Sequence, residues 1–262
     1  MFKKVLSAAI ALAALASLPA MAQDKRMNFT AALTGVSDYS FRGISQSDNG
    51  PALQGSFEGA FTINDYVTGY ASLFASNVHF VPEPTDNDGA SLETDFTFGF
   101  RSTIDNFGYD ARMIYYSYPG ASAGVAAGSA NSYDYWEAAL TLNYDFGFVV
   151  PSVGINYSQN FFGNSGEAVY YTAGVKVPVP FVPYDTRILA NIGKQYIKKN
   201  ATFGTPDYMD WNVGIFATFF GFDVGVQYVD TNLSKTECFN NVAAEDLCKA
   251  RPVFSLGRTF TF

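Results

Sequence analysis

Along most of the chain, apolar and polar positions alternate with a period of two. Leu53, Gly55, Phe57, Gly59 and Phe61 share one side of an extended segment, and Gln54, Ser56, Glu58 and Ala60 share the other. Leu92, Thr94, Phe96, Phe98 and Phe100 oppose Glu93, Asp95, Thr97 and Arg101. Phe107, Tyr109, Ala111, Met113 and Tyr115 oppose Asp110 and Arg112, and Trp136, Ala138, Leu140, Leu142 and Tyr144 oppose Glu137, Thr141, Asn143 and Asp145. The rhythm continues through segments 152–158, 171–177 with Lys176 on the polar side, 187–192 with Arg187, 211–219, and 222–228 with Asp223. Side chains of a strand point to alternate faces, whereas a helical face recurs every 3.6 residues, so these segments read as strands. Segments 29–41 and 67–77 alternate less cleanly.

The connections between about twelve such strands fall into two sets. Short ones lie at Asn64 and Asp65, at Asp105 and Asn106, around Gly147, at 178–183 and at Gly221. Longer polar ones span 42–50, 78–90, 119–132, 159–168, 195–206 and 231–250. Outer-membrane barrels sort their connections in this way, with short periplasmic turns and long extracellular loops. Strands of about 10 residues are long enough to cross a bilayer at a tilt. In hydrocarbon every backbone N–H and C=O needs a partner, which strands supply only in a closed sheet. The pattern therefore predicts an all-β protein: a closed, antiparallel, up-and-down transmembrane β-barrel with apolar residues toward lipid and polar residues toward the lumen.

A soluble barrel would invert those faces, and alternation alone does not separate the two. Aromatic girdles favour the membrane. Phe107, Tyr109, Tyr144, Phe146, Phe219 and Phe222 lie toward the short turns, and Tyr39, Phe41, Trp136, Tyr157, Trp211 and Tyr228 toward the long loops. The last segment ends Phe254, Leu256, Arg258, Phe260, Phe262 on one face, and a closing strand with a terminal Phe resembles the insertion signal of bacterial outer-membrane proteins. Arg258 interrupts that face. Either its stem runs along the wall toward headgroups, or a bulge turns it inward.

Composition agrees. Aromatics make up 17% of the chain and charged residues only 15%, against about 25% in typical soluble domains. Residues 1–22 carry Lys3 and Lys4, an Ala- and Leu-rich run, and Ala20-Met21-Ala22, the order of a secretory signal peptide cleaved after Ala22. Residues 23–262 are then the barrel domain, and loss of Lys3 and Lys4 takes the net charge from −8 to −10. The expected destination is the bacterial outer membrane, with its lipid and lipopolysaccharide as partners. No basic run points to nucleic acid, and the oligomeric state is left open.

The segment Ser37-Asp38-Tyr39-Ser40-Phe41-Arg42-Gly43-Ile44-Ser45-Gln46-Ser47, followed by Asp48-Asn49-Gly50-Pro51-Ala52-Leu53-Gln54-Gly55, resembles the opening of the TorF-family porins, the bacterial domain family labelled Gcw_chp. Tyr115-Tyr116-Ser117-Tyr118-Pro119-Gly120 and Ser255-Leu256-Gly257-Arg258-Thr259-Phe260 are similar too, and the resemblance covers essentially all of residues 23–262. It implies an outer-membrane location and a channel. It names neither a substrate nor catalytic residues.

Twelve strands enclose a lumen between the packed interior of eight and the wide channel of sixteen, so a narrow pore and an occluded one both fit. The expected lumen face carries Glu58, Glu93, Asp95, Asp110, Glu137 and Asp223, with Asp145, Asp185 and Asp210, against Arg101, Arg112, Lys176 and Arg187. A net negative constriction favours cations, whereas cross-strand pairing would merely satisfy a polar interior. The expectation is passive diffusion of small hydrophilic solutes or ions, weakly cation-preferring. The alternative is a non-conducting barrel whose loops bind a partner.

Arg42, beside Gly43, could hold an anion or pin the first loop through carbonyl hydrogen bonds, the reading preferred here. Asp48-Asn49-Gly50 is turn chemistry requiring positive φ. Cys238 and Cys248 are the only cysteines. In an oxidising compartment they read as a loop disulfide, worth roughly 2–3 kcal/mol in the chain-entropy model, rather than as a zinc site. His79 is the only histidine, and without a nucleophile elbow it supports no triad. Pro82-Glu83-Pro84-Thr85-Asp86-Asn87-Asp88 is acidic but lacks the ligand spacing of a calcium site. The chain is read as a non-enzyme without metal or cofactor.

Overall fold

The computed structural model describes residues 26–79, 90–119, 133–182, 184–239 and 246–262. The expected signal peptide and the acidic stretch 82–88 lie outside the described residues.

Twelve strands close into one antiparallel barrel. They are β1 (Met27–Val36), β4 (Ala52–Thr62), β5 (Thr68–Asn77), β6 (Leu92–Ile104), β7 (Phe107–Ser117), β8 (Tyr135–Tyr144), β9 (Val150–Ser158), β10 (Ala168–Pro178), β11 (Asp185–Ile197), β12 (Tyr208–Phe219), β13 (Phe222–Thr231) and β14 (Arg251–Thr261). The two remaining strands, β2 (Ser40–Phe41) and β3 (Ile44–Ser45), form a separate hairpin between β1 and β4. Each barrel strand pairs with its neighbour in sequence, and β1 closes the ring: Ala31 opposes Phe57 of β4 on one side and Phe260 of β14 on the other.

The alternation read from the sequence is the alternation of the wall. In β8, Trp136 is 48% exposed while the adjacent Glu137 is 1% exposed. Phe98, Phe100, Val213, Ile215, Phe254 and Leu256 stand out from the exterior in the same way. A water-soluble domain keeps such side chains inside and exposes apolar patches of only a few hundred Å². Here the core runs through the lumen instead. Val78, Ile114, Tyr116, Tyr118, Tyr135 and Phe161 pack together inside the ring, so the inner face is not uniformly polar as expected.

Inward aromatics also explain the strand that alternates poorly. In β5, Tyr70 and Phe74 lie on the inner face, and Tyr70 Oη donates to Asp110 Oδ1 at 2.9 Å. Inward rings need space, which glycine on the next strand supplies. A Cβ at Gly225 would collide with the Phe216 ring that lies across it.

The short turns use left-handed residues. Phe220 (φ 49°) and Gly221 (φ 78°) form the β12–β13 turn, where a two-residue hairpin twisted to match its strands requires positive φ at both positions. Asp48 (φ 55°) and Asn49 (φ 54°) take the same region, as their residue types suggested. Arg258 keeps the outward face. It opposes the outward Leu33, and its guanidinium lies 5.3 Å from the Phe222 ring centroid and 5.2 Å from that of Phe260. Residues 30–36 pair one for one with 255–261, through Arg258 without interruption, so the bulge reading fails.

Replacing Gly225 by Ala is expected to lower stability by about 1–3 kcal/mol through overpacking against Phe216. Urea unfolding of the lipid- or detergent-refolded protein measures the change. A variant as stable as the wild type would show that the ring does not depend on this gap.

Candidate functional site in the barrel lumen

The loop after β1 does not remain outside as a simple surface loop. It turns into the ring as the β2–β3 hairpin, and a polar knot holds its base. Asp38 Oδ2 accepts from Arg251 Nε of β14 at 2.5 Å, with the two side chains 4% and 7% exposed. The second Asp38 oxygen accepts from Ser47 Oγ at 3.1 Å and from Ser45 Oγ. Arg251 Nη1 also donates to the carbonyls of Gly43 at 3.0 Å and Lys249 at 2.9 Å. A buried pair of this kind needs its remaining donors and acceptors met, and all are engaged except Arg251 Nη2, which is buried without a partner among the described residues.

The hairpin tip is Arg42 (φ 47°) and Gly43 (φ 81°), both left-handed. Gly43 sits where a Cβ would lie 2.9 Å from Asp210 Cβ and 3.1 Å from the Asp230 carbonyl oxygen, so glycine is needed for approach as well as for φ. Arg42 reaches two stretches of wall separated by β9 and β10. Nη2 donates to Glu137 Oε2 of β8 at 2.6 Å, and Nη1 to Gln195 Oε1 of β11 at 2.7 Å. Its guanidinium lies 4.2 Å from the Tyr170 ring centroid and 4.8 Å from that of Phe41. Burial would pull the guanidinium pKa down, but Glu137, Tyr116 and Tyr135 together push it up, so Arg42 stays charged.

Glu137 is the anchor on the opposite wall. Besides Arg42 it accepts from Asn156 Nδ2 at 3.1 Å and Tyr116 Oη at 3.3 Å. The other flank of the hairpin is Tyr39, whose hydroxyl donates to Glu93 Oε1 at 2.5 Å. Burial, then Glu93 and Asp95, raise the Tyr39 pKa well above its ordinary value, which keeps this donor protonated. Tyr39 and Phe41 were expected in the outer girdle. They instead pack inside the lumen, edge-on to Phe74 and Tyr116 respectively.

The remaining candidates form separate clusters. Arg101 makes a two-pronged pair with Glu58, at 2.6 and 3.0 Å, across the intervening strand. Arg112 meets Asp110 at 3.0 Å. Arg187 lies 3.6 Å from Asp185 and 3.9 Å from Asp223, and Asp223 accepts from Thr218 at 2.7 Å. Asp95 is 9% exposed, and its Oδ1 has no hydrogen-bond partner. Lys176 is exposed on the same face of β10 as Thr172 and Tyr170. Arg42 does pin the first loop, but through a carboxylate and an amide rather than the backbone carbonyls expected. The carbonyls are held by Arg251, which sequence reasoning did not single out, nor did it single out Asp38 or Gln195.

Cys238 and Cys248 are joined, and neither lies in a solvated loop: they are 3% and 0% exposed. They pack with Ile44, Tyr208, Leu233 and Leu247, and Ser45 N donates to the Leu247 carbonyl at 2.9 Å. The disulfide segment therefore seats the hairpin. Asp246 comes close enough to the two sulfurs to suggest a metal triad, but bonded sulfurs have no thiolate to offer. His79 Nδ1 lies 3.6 Å from Asp48 Oδ2, and its backbone N–H donates to the Gln46 carbonyl at 2.8 Å. It braces the outer edge of the same loop.

A closed twelve-stranded barrel with a hairpin folded into its lumen is thus the class this chain defines. Residues 20–260 match the family described as bacterial protein of unknown function (Gcw_chp), and the chain belongs to that family. The resemblance carried by residues 37–55 is borne out. No curated protein matches the chain. Among solved structures, Salmonella typhi OmpF in complex with daunomycin is similar at a TM-score of 0.41 and 11% identity, covering 90% of this chain and 97% of that one. The outer membrane channel DcaP of Acinetobacter baumannii gives 0.41 and 10% over 92% and 99%. OmpT of Vibrio cholerae, in its trimer form, gives 0.38 and 10% over 90% and 99%.

Arg42→Ala strands the Glu137 carboxylate and is expected to cost about 3–5 kcal/mol, as for breaking one side of a buried pair. The double variant Arg42→Ala/Glu137→Gln removes both charges and is expected to recover most of that loss. Urea unfolding of all three proteins gives the comparison. An Arg42→Ala protein as stable as the wild type would mean that the pair does not hold the hairpin.

Proposed function

We propose that the chain is a porin-like barrel of the bacterial outer membrane through which small hydrophilic solutes or ions diffuse, with its bore narrowed by the β2–β3 hairpin. The apolar exterior supports the membrane setting, because only hydrocarbon solvates such a surface without cost while a closed ladder leaves no backbone group unpaired. In this reading the hairpin end faces outward, and the short turns face the periplasm. Residues 1–22 are the export signal, removed after Ala22.

One observation carries the proposal: a charged side chain, Arg42, is held between walls of the lumen by Glu137 and Gln195. That arrangement narrows the bore with a buried ion pair set among aromatic rings, Arg42 and Glu137 being 6% and 1% exposed. On the inner face the carboxylates of Glu58, Glu93, Asp95, Asp110, Glu137, Asp210 and Asp223 outnumber the bases Arg42, Arg101, Arg112, Lys176 and Arg187. The ion pairs neutralise much of this, and the surplus gives a weak preference for cations. The chain has no role as an enzyme in this reading. His79 is engaged with Asp48 and the Gln46 backbone, and neither of these contacts among the described residues is with a hydroxyl or thiol nucleophile.

The hairpin equally favours a second reading, a barrel whose lumen is shut. Planar-bilayer recording under a potassium chloride gradient separates the two. The wild type is expected to show small unitary conductance with a cation-selective reversal potential, and Arg42→Ala/Glu137→Gln is expected to conduct more. An anion-selective reversal potential would remove the charge argument. Silence of both proteins, under conditions where a control porin conducts, would establish the shut barrel.

A further inference from the structure

Where the hairpin tip leans toward β10 to β13, the lumen keeps a cavity of about 290 Å³, at the small end of ligand pockets. Its walls are Tyr170 and Thr172 of β10, Asn191 of β11, Asp210 and Asn212 of β12, and Gln227 of β13. Ser40 and Arg42 of the hairpin close it from the loop end.

Two of these lining residues hold a buried polar atom with no partner among the described residues. Asp210 is 3% exposed, and its Oδ1 accepts from Tyr170 Oη at 3.2 Å, but its Oδ2 is buried without a donor. Ser40 Oγ is likewise buried and unpaired. A buried carboxylate oxygen without a donor costs free energy that a bound hydroxyl would return. Opposite stand groups that both donate and accept. Asn191 Nδ2 donates to Asn212 Oδ1 at 3.1 Å, which leaves Asn191 Oδ1 to accept and Asn212 Nδ2 to donate. Gln227 adds a second amide with both capacities.

The chemistry selects against ions. Arg42 is the one base in the lining, and its terminal nitrogens already serve Glu137 and Gln195, so an anion finds no free cation. A cation could meet Asp210 but would leave the amide N–H groups unpaired and face the Arg42 charge. Only a ligand whose groups donate and accept in turn answers Asp210 Oδ2, Ser40 Oγ and the three amides together.

We infer that this cavity is a binding subsite for a neutral polyhydroxyl compound about the size of one sugar ring. The inference deepens the diffusion reading by giving it a solute class, and it is measured separately from conductance. The test is equilibrium binding to the full chain refolded in detergent, by saturation-transfer nuclear magnetic resonance. D-glucose and sorbitol serve as probes, ethanolammonium as the cationic control and inorganic phosphate as the anionic one. Saturable binding of at least one polyol is expected, with no saturable binding of either ion. Asp210→Asn is expected to weaken the polyol about tenfold, the loss of one hydrogen bond to a charged acceptor. Because Asp210 also receives the Tyr170 hydroxyl, Gln227→Leu is measured beside it and is expected to weaken binding in the same direction. Absence of saturable polyol binding, tighter binding of either ion, or polyol binding untouched by both variants would each overturn the inference. A protein that conducts but binds no polyol would lose this inference alone, and one that binds polyol but never conducts would lose the diffusion reading alone.

Discussion

Everything in this fold depends on β1 finding a partner on both edges. A sheet left open would present unpaired N–H and C=O groups along β1 and β14, which neither hydrocarbon nor an aggregation-free solution tolerates. Closure pairs Ala31 with Phe57 on one side and Phe260 on the other. Once the ring exists, period-two alternation sends each side chain to one of two environments, and the apolar set is left outside. The consequence is an inverted protein, whose aromatic exterior is its largest apolar surface and whose polar chemistry lies in the middle.

The second constraint is the cost of a lumen. A ring of twelve strands is too wide for wall side chains to fill and too narrow to be ignored. The chain fills part of it with its own first loop. Burying that loop means burying its polar backbone tip and Arg42, which is tolerable only because partners wait on several strands. Glu137, Gln195, Glu93 and Arg251 each receive or supply a bond to the hairpin. Removing one partner leaves another buried and unsatisfied, so the knot behaves as a unit. The disulfide acts on the same element, since Cys238 and Cys248 pack against Ile44 of the hairpin. Aromatic packing between Phe41, Tyr116 and Tyr135 fills the space the polar groups leave. What remains is a polar cavity beside the tip, lined by Asp210 and by the amides of Asn191, Asn212 and Gln227.

The sequence determined the wall. Strand positions, their facing, the sorting of short and long connections and the inward placement of Glu58, Arg101, Glu137 and Arg187 all follow from a period that is local and repeated, and a strand's two faces are set by covalent geometry. Tyr70, lying over Gly99, and Phe74, between Ser56 and Asp95, blurred the pattern in β5, because inward aromatics break the apolar-out rule without breaking the strand. The tertiary structure alone decided what enters the ring. Asp38 and Arg251 are 213 residues apart, and Arg42 meets Glu137 and Gln195 from different strands. No periodicity links such positions, since their meeting depends on where closure brings the walls and on how much room a twelve-strand ring leaves between them.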